Sequence, residues 1–113
     1  DIKGKWRIVT VLSENIFVSD PAPFLNFDTD NSRISAFAGC NRLSGRIKSV
    51  EKNILSISNV VSTKMACPDM TTEQSVITGL GQVDSFGISL NGNLLLFSAR
   101  GNVVMELMRI NED

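Results

Sequence analysis

Arg42-Leu43-Ser44-Gly45-Arg46-Ile47-Lys48 alternates between the two faces of an extended chain without a break. A period of two is what a strand with one buried side requires, because successive side chains point to opposite faces of a sheet. Leu43, Gly45 and Ile47 share the inner face, and Arg42, Ser44, Arg46 and Lys48 share the outer one. A Gly39-Cys40-Asn41 corner precedes the run, and the turn residues Ser49-Val50-Glu51-Lys52-Asn53 come after it. A helix cannot sort these residues this way, so the run commits its neighbourhood to a sheet.

Shorter runs of the same kind fill most of the chain. Gly4-Lys5-Trp6-Arg7-Ile8-Val9-Thr10-Val11-Leu12 predicts a first strand, with Trp6, Ile8 and Thr10 on one face. Ile16-Phe17-Val18 predicts a short edge segment, and Pro21 and Pro23 exclude a helix after it. Phe24-Leu25-Asn26-Phe27-Asp28 and Arg33-Ile34-Ser35-Ala36-Phe37-Ala38 predict a hairpin around Thr29-Asp30-Asn31-Ser32. Ile54-Leu55-Ser56-Ile57-Ser58 predicts another strand. Residues 83–90 place Phe86, Ile88 and Leu90 on one face, before Asn91-Gly92, the signal of a type I′ turn. Leu94-Leu95-Leu96-Phe97 pairs back, and residues 103–108 form the closing strand.

One segment has a different period. Val76, Ile77 and Leu80 fall at helical spacing, and Thr71 and Gln74 have the spacing of a capping box. A helix is expected near residues 70–80, weakened and ended by Gly79 and Gly81. The whole predicts a mainly β fold with one short helix: a small closed antiparallel β-barrel of about 7–8 strands, lipocalin-like. Alternation cannot count sheets, so a β-sandwich stays open. At 113 residues the chain reads as one domain, 1–113.

Composition narrows the chemistry. The chain has no histidine, which removes Ser-His-Asp and Cys-His catalysis and the common His-containing zinc sites. It has no tyrosine to serve as an alternative acid or base. Two cysteines cannot build a closed four-cysteine metal site, so no metal and no cofactor are expected. The net charge of −1 supplies no overall field for steering nucleic acid, and no nucleic-acid partner is expected. No apolar run approaches the roughly 20 residues of a spanning helix.

Cys40 and Cys67 leave three readings open: two buried free thiols, a redox pair, or a structural disulfide, which is preferred. A disulfide would close a loop worth about 3.6 kcal/mol in the chain-entropy model and would place the protein outside the cytosol. Arg42, Arg46 and Lys48, with Arg33 nearby in sequence, are read as a solvated outer face. Small barrels that bind single strands on such a face also use stacking aromatics, and none interleaves there in sequence. Asp28-Thr29-Asp30-Asn31-Ser32 opens like a calcium loop, but Arg33 and Gly39 occupy the positions that need glycine and glutamate, so it is read as a turn. Met65, Met70, Met105 and Met108 are read as core fillers. The candidate polar cluster is Asn41, Arg42, Thr63 and Lys64, which flank the cysteines; the competing reading of them is structural.

Gly4-Lys5-Trp6, Phe27-Asp28, Ala38-Gly39-Cys40-Asn41-Arg42-Leu43-Ser44-Gly45 and Ser62-Thr63-Lys64-Met65-Ala66-Cys67-Pro68 resemble, in order, the signatures of the META domain, the HslJ-like family of bacterial envelope proteins. The glutamate-containing helix and the hairpin from Leu94 to Gly101 come next in matching order. The resemblance implies a compact β-barrel with one helix, a Cys40–Cys67 disulfide, and export to the periplasm or attachment as an outer-membrane lipoprotein. It implies links to heat shock and stress response, and it supplies no active site. Phe37 departs from the family pattern beside the corner, and Lys64 stands where arginine is frequent.

The expected function is therefore a non-catalytic envelope domain, not an enzyme, that binds or protects other envelope proteins through an exposed strand edge. The alternative is a carrier of small apolar ligands with a lipocalin-like interior. The expected state is a monomer. Any signal or lipobox, and any membrane attachment through a lipid anchor, is expected outside this chain.

Overall fold

The computed structural model describes residues 1–17 and 19–111. Among them the chain forms β1 (Gly4–Val11), β2 (Glu14–Asn15), β3 (Phe24–Asp28), β4 (Arg33–Phe37), β5 (Arg42–Ser49), β6 (Ser56–Ser62), α1 (Thr71–Leu80), β7 (Ser85–Ile88), β8 (Leu94–Phe97) and β9 (Val103–Arg109). All strand pairs are antiparallel, in the order β6-β5-β4-β3-β1-β9-β8-β7, with the two-residue β2 added to β1. Val18, from the segment expected at 16–18, lies outside the described residues.

The sheet curls without closing. It is an open half-barrel of eight antiparallel strands, which corrects the expectation of a closed, lipocalin-like barrel. Across the seam between β6 and β7 the described residues make one bridge, Ile54 to Ser85, and one hydrogen bond, from the Leu55 N–H to the Asp84 carbonyl at 3.1 Å. The physical reason is the route of the chain beyond β6. It leaves the sheet at residue 63 and crosses to the β4–β5 corner, and the returning β7 has four residues. Because all strands belong to one sheet, the sandwich alternative also falls.

The concave side is filled. Trp6, Ile8, Val11, Leu25, Phe27, Leu94, Leu96, Met105 and Leu107 are buried there, and Val76 and Leu80 bring the apolar stripe of α1. Fully burying side chains of this size contributes about 1.5–3 kcal/mol each. The Trp6 Nε1–H donates to the Ile2 carbonyl at 2.9 Å, so the largest buried ring keeps a polar partner. Thr10 does not share the Trp6–Ile8 face, because the β1–β9 register slips between Ile8 and Thr10 and Val11 takes the inward place. Of the four methionines expected as core fillers, Met105 is fully buried, Met70 is half-buried, and Met65 and Met108 are exposed.

Helix α1 begins where expected, but without a capping box. Met70 is the N-cap and makes no side-chain bond, while the Asp69 carboxylate accepts the Thr71 N–H at 2.9 Å. That bond, aided by the Thr71 hydroxyl, holds the Asp69 carboxyl below its ordinary pKa. Glu73, Val76 and Leu80 form the inward stripe, whereas Ile77 is exposed. Gly79 does not end the helix. It lies inside it, buried so closely on β9 and β1 that a Cβ would stand 3.0 Å from Met105 Cε and 3.1 Å from Val104 Cγ1.

The last two hairpins use one turn twice, on Ser89-Leu90-Asn91-Gly92-Asn93 and Ser98-Ala99-Arg100-Gly101-Asn102. In each, the serine N–H donates to the asparagine carbonyl, and the glycine N–H donates to the serine carbonyl, all at 2.9 Å. Only the glycines have positive φ, +88° and +86°, so these are three-residue loops ending in a left-handed glycine. The type I′ turn expected at Asn91-Gly92 is not formed. Ile88 and Leu90, expected on the face of Phe86, stand exposed at the first hairpin's tip.

Strand β6 runs later than the expected Ile54–Ser58 pattern. Asn59 adopts φ +54°, the β5–β6 register shifts there, and pairing continues to Ser62. A bulge lets a strand continue after its alternation has broken, which the serine spacing alone does not reveal.

Candidate functional site

The corner between β4 and β5 meets the segment 63–70 and the first turn of α1. Cys40 and Cys67 are joined in a disulfide, with their Cα atoms 6.0 Å apart. Asn41, beside it, is 3% exposed, and all its side-chain polar atoms are engaged. Its Oδ1 accepts from the Thr63 hydroxyl at 2.8 Å and from the Met65 N–H at 2.7 Å. Its Nδ2 donates to the Met65 carbonyl at 3.3 Å and to Glu73 Oε2 at 2.9 Å. Its backbone N–H donates to Glu73 Oε1 at 2.6 Å.

Glu73 is equally buried, at 3% exposed. Both of its oxygens are taken up by Asn41, and its place in the first turn of α1 puts a carboxylate where the helix dipole favours negative charge. The residues expected to cluster come together only in part. Asn41 and Thr63 meet through side chains, while Arg42 joins through its backbone: its N–H donates to Thr63 Oγ1 at 3.2 Å, and its carbonyl accepts the Thr63 N–H at 3.1 Å. The Arg42 side chain and Lys64 point to solvent.

Glu73 is absent from the expected cluster, although the sequence carries a signal for it. It is the one acid on the stripe with Val76 and Leu80, at i, i+3 and i+7, and a charge on an apolar stripe needs a buried partner. Chemically the assembly is closed. Among the described residues no buried side-chain polar atom lacks a partner, and both sulfurs are consumed in the disulfide. Each Glu73 oxygen accepts one hydrogen bond from Asn41, inside a buried corner.

Two concavities flank this corner. A solvent-open groove of about 630 Å³ runs between α1 and the segment after β1, with Val11 and Ala38 among its buried lining and Glu14, Phe17, Asp69 and Thr71 around it. A second of about 380 Å³ lies on the outer face of the sheet, lined by Lys5, Pro21, Phe24, Ser35, Phe37 and Arg42 among others. Phe37 therefore packs outward, its ring centroid 6.3 Å from that of Phe24. The turn at Asp28 to Ser32 holds a short 3₁₀ helix, Thr29–Asn31, with Asn31 Nδ2 donating to Asp28 Oδ2 at 2.9 Å and Asp30 paired to Lys3. No group of three or more metal-ligating side chains occurs among the described residues.

The pattern of the META domain matches residues 1–111. The chain belongs to the META domain family. No curated protein matches its sequence significantly. A protein from Burkholderia xenovorans, solved by NMR, superposes on this META domain with a TM-score of 0.75 at 19% identity, covering 98% of this chain and 85% of that one. A second NMR structure gives 0.70 at 16%, covering 95% and 89%. The crystal structure of a duf4847 family protein from Bacteroides vulgatus gives 0.67 at 13%, covering 99% and 96%. At these identities the likeness is one of fold. The disulfide of this META domain is compatible with an oxidising compartment such as the cell envelope.

Proposed function

We propose that this META domain is a non-catalytic module of the cell envelope, secreted or lipid-anchored through sequence outside this chain, that binds or protects other envelope proteins through its free β6 edge. The observation that carries this reading is the unclosed seam. From Ser56 to Ser62, β6 pairs with β5 on one side and with no strand on the other among the described residues, and Val61 on it is 62% exposed. An unpaired edge with an exposed β-branched residue is a template for adding a partner strand.

The non-catalytic part draws support from the closed chemistry of the corner and the absence of histidine. The carrier alternative has less support. The concave side is occupied by Trp6, Phe27 and the leucines around them, and the two concavities described open elsewhere.

The test is site-specific photocrosslinking in envelope fractions, with the disulfide intact. A photoreactive residue at position 61 is expected to give a discrete protein adduct, and one at position 100, in the β8–β9 turn, is not. Equal labelling from both positions, or none from 61, would overturn the reading.

A further inference from the structure

The register of four strands assembles a surface that is scattered in sequence. Arg7 pairs with Phe24, Phe24 with Phe37, and Phe37 with Arg42, which sets a transverse row of arginine, two phenylalanines and arginine across β1, β3, β4 and β5. Aromatics thus interleave with the basic face after all, contrary to the sequence expectation. Two rows along on the same face, Arg33 stands between Arg46 on β5 and Asp28 on β3, so the face carries a like-charge neighbour pair with one acid beside it.

The outer face of these strands holds Lys5, Arg7, Arg33, Arg42, Arg46 and Lys48 against Asp28 alone. Among the described residues of these strands, that face sets six of the chain's eleven cations beside one acid, so it is locally basic although the chain is near neutral. Among the described residues Arg33, Arg42, Arg46 and Lys48 have no carboxylate within salt-bridge distance.

Within this face sits the hollow of about 380 Å³. Its volume falls in the range of small-molecule sites, about 300–1,000 Å³, whose usual lining is apolar and aromatic with a few placed polar groups. Phe24, Phe37 and Pro21 supply the apolar lining, Arg42 and Lys5 the cations, and Ser35 a hydroxyl. The Lys5 ammonium lies 4.5 Å from the Phe24 centroid, and Arg42 keeps its fork of donors for a ligand.

We propose that this hollow is a binding site for a small amphipathic anion: an aryl or short-chain apolar body bearing a carboxylate, sulfonate or phosphate. The apolar body packs on Phe24 and Phe37, and the anionic group is held by the Arg42 guanidinium through charge-assisted hydrogen bonds. The site lies on the outer face and does not use the β6 edge, so it stands or falls independently of the protein-binding reading.

Naphthoate is the probe, followed by amide chemical-shift perturbation in the oxidised protein, with naphthalene methanol as its uncharged counterpart. Saturable naphthoate binding is expected, with the largest shifts at residues 35–37 and 42–43 and weaker binding at higher ionic strength. Arg42→Gln is expected to weaken it about tenfold, Phe37→Ala to weaken it as well, and Arg100→Gln to leave it unchanged. The alcohol should bind less tightly than the acid. Arg42 meets the corner only through its backbone, so Arg42→Gln keeps the fold and decides the matter even where Phe37→Ala loses stability. Absence of saturable binding, equal affinity in Arg42→Gln, or shifts centred on residues 69–75 in the other groove would overturn the proposal.

Discussion

Asn41 and Glu73 face each other as a complete donor–acceptor set: the backbone and side-chain N–H groups of one supply both oxygens of the other, at 2.6 and 2.9 Å. Neither group retains contact with bulk water, since each is 3% exposed. Such a set is costly to break from one side, because the remaining partner stays buried and unpaired.

Glu73→Ala and Asn41→Ala are each expected to lower unfolding free energy by about 2–4 kcal/mol. The double variant should cost well under the sum, since the second change removes an already orphaned group. Urea denaturation of the four proteins tests this, and strict additivity would contradict the pairing. Glu73→Gln is expected to fall between, as its amide presents a donor to a donor.

Reduction of Cys40–Cys67, or paired substitution by serine, is expected to cost about 3–4 kcal/mol for a loop of this length. The two cysteines are separated by 27 positions, and the corner is already held at Asn41 by Thr63 and Met65, so the reduced protein should stay folded and lose midpoint. Thiol titration of the native protein without reductant should find no reactive groups. Two reactive thiols there would sink the disulfide.

Gly79→Ala sets helix propensity against packing. Alanine gains about 1 kcal/mol in a helix interior, but its Cβ would meet Val104 Cγ1 at 3.1 Å and Val11 Cγ2 at 3.3 Å, neither on a flexible arm. Overpacking of this kind costs about 1–3 kcal/mol. A net loss is expected in a thermal melt, and stabilisation would show that the β1–α1 contact yields.

Gly92→Ala and Gly101→Ala meet no neighbouring atom within 4 Å, so their cost is that of positive φ alone. About 1–2 kcal/mol each is expected, and the two should add, since the loops share no partners.

Asp69 contributes a pH dependence on the acid side. Its carboxyl is held below the ordinary value by the Thr71 N–H, so its contribution is present above the unfolded pKa and is lost as pH falls through the folded one. Asp69→Asn should therefore melt below the parent protein near neutrality. The two should converge as the medium is acidified into that window, and a constant gap would count against the carboxylate.

Alternation marked most of the strands, and the helix could be placed to within a residue, because each needs only local spacing. What escaped was set by distance. The seam stays open because of where residues 63–70 travel, and no local pattern encodes that route. Asn41 and Thr63 were legible as companions of the cysteines, whereas the partner of Asn41 sits 32 positions away. Phe24 and Phe37 join the basic face only through register. At Asn91-Gly92 the dipeptide marked the right place and the wrong turn, since the serine before it and the asparagine after it close a longer loop.

The strand order carries a consequence for how the chain acquires this shape. β1 is the middle of the sheet, paired to β3 on one side and to β9 on the other. A nascent chain emerging from its N-terminus can therefore assemble β1 through β6 early, but the opposite border of β1 stays bare until the final strand arrives. Until β9 pairs, that border of β1 has no strand beside it to satisfy its backbone groups.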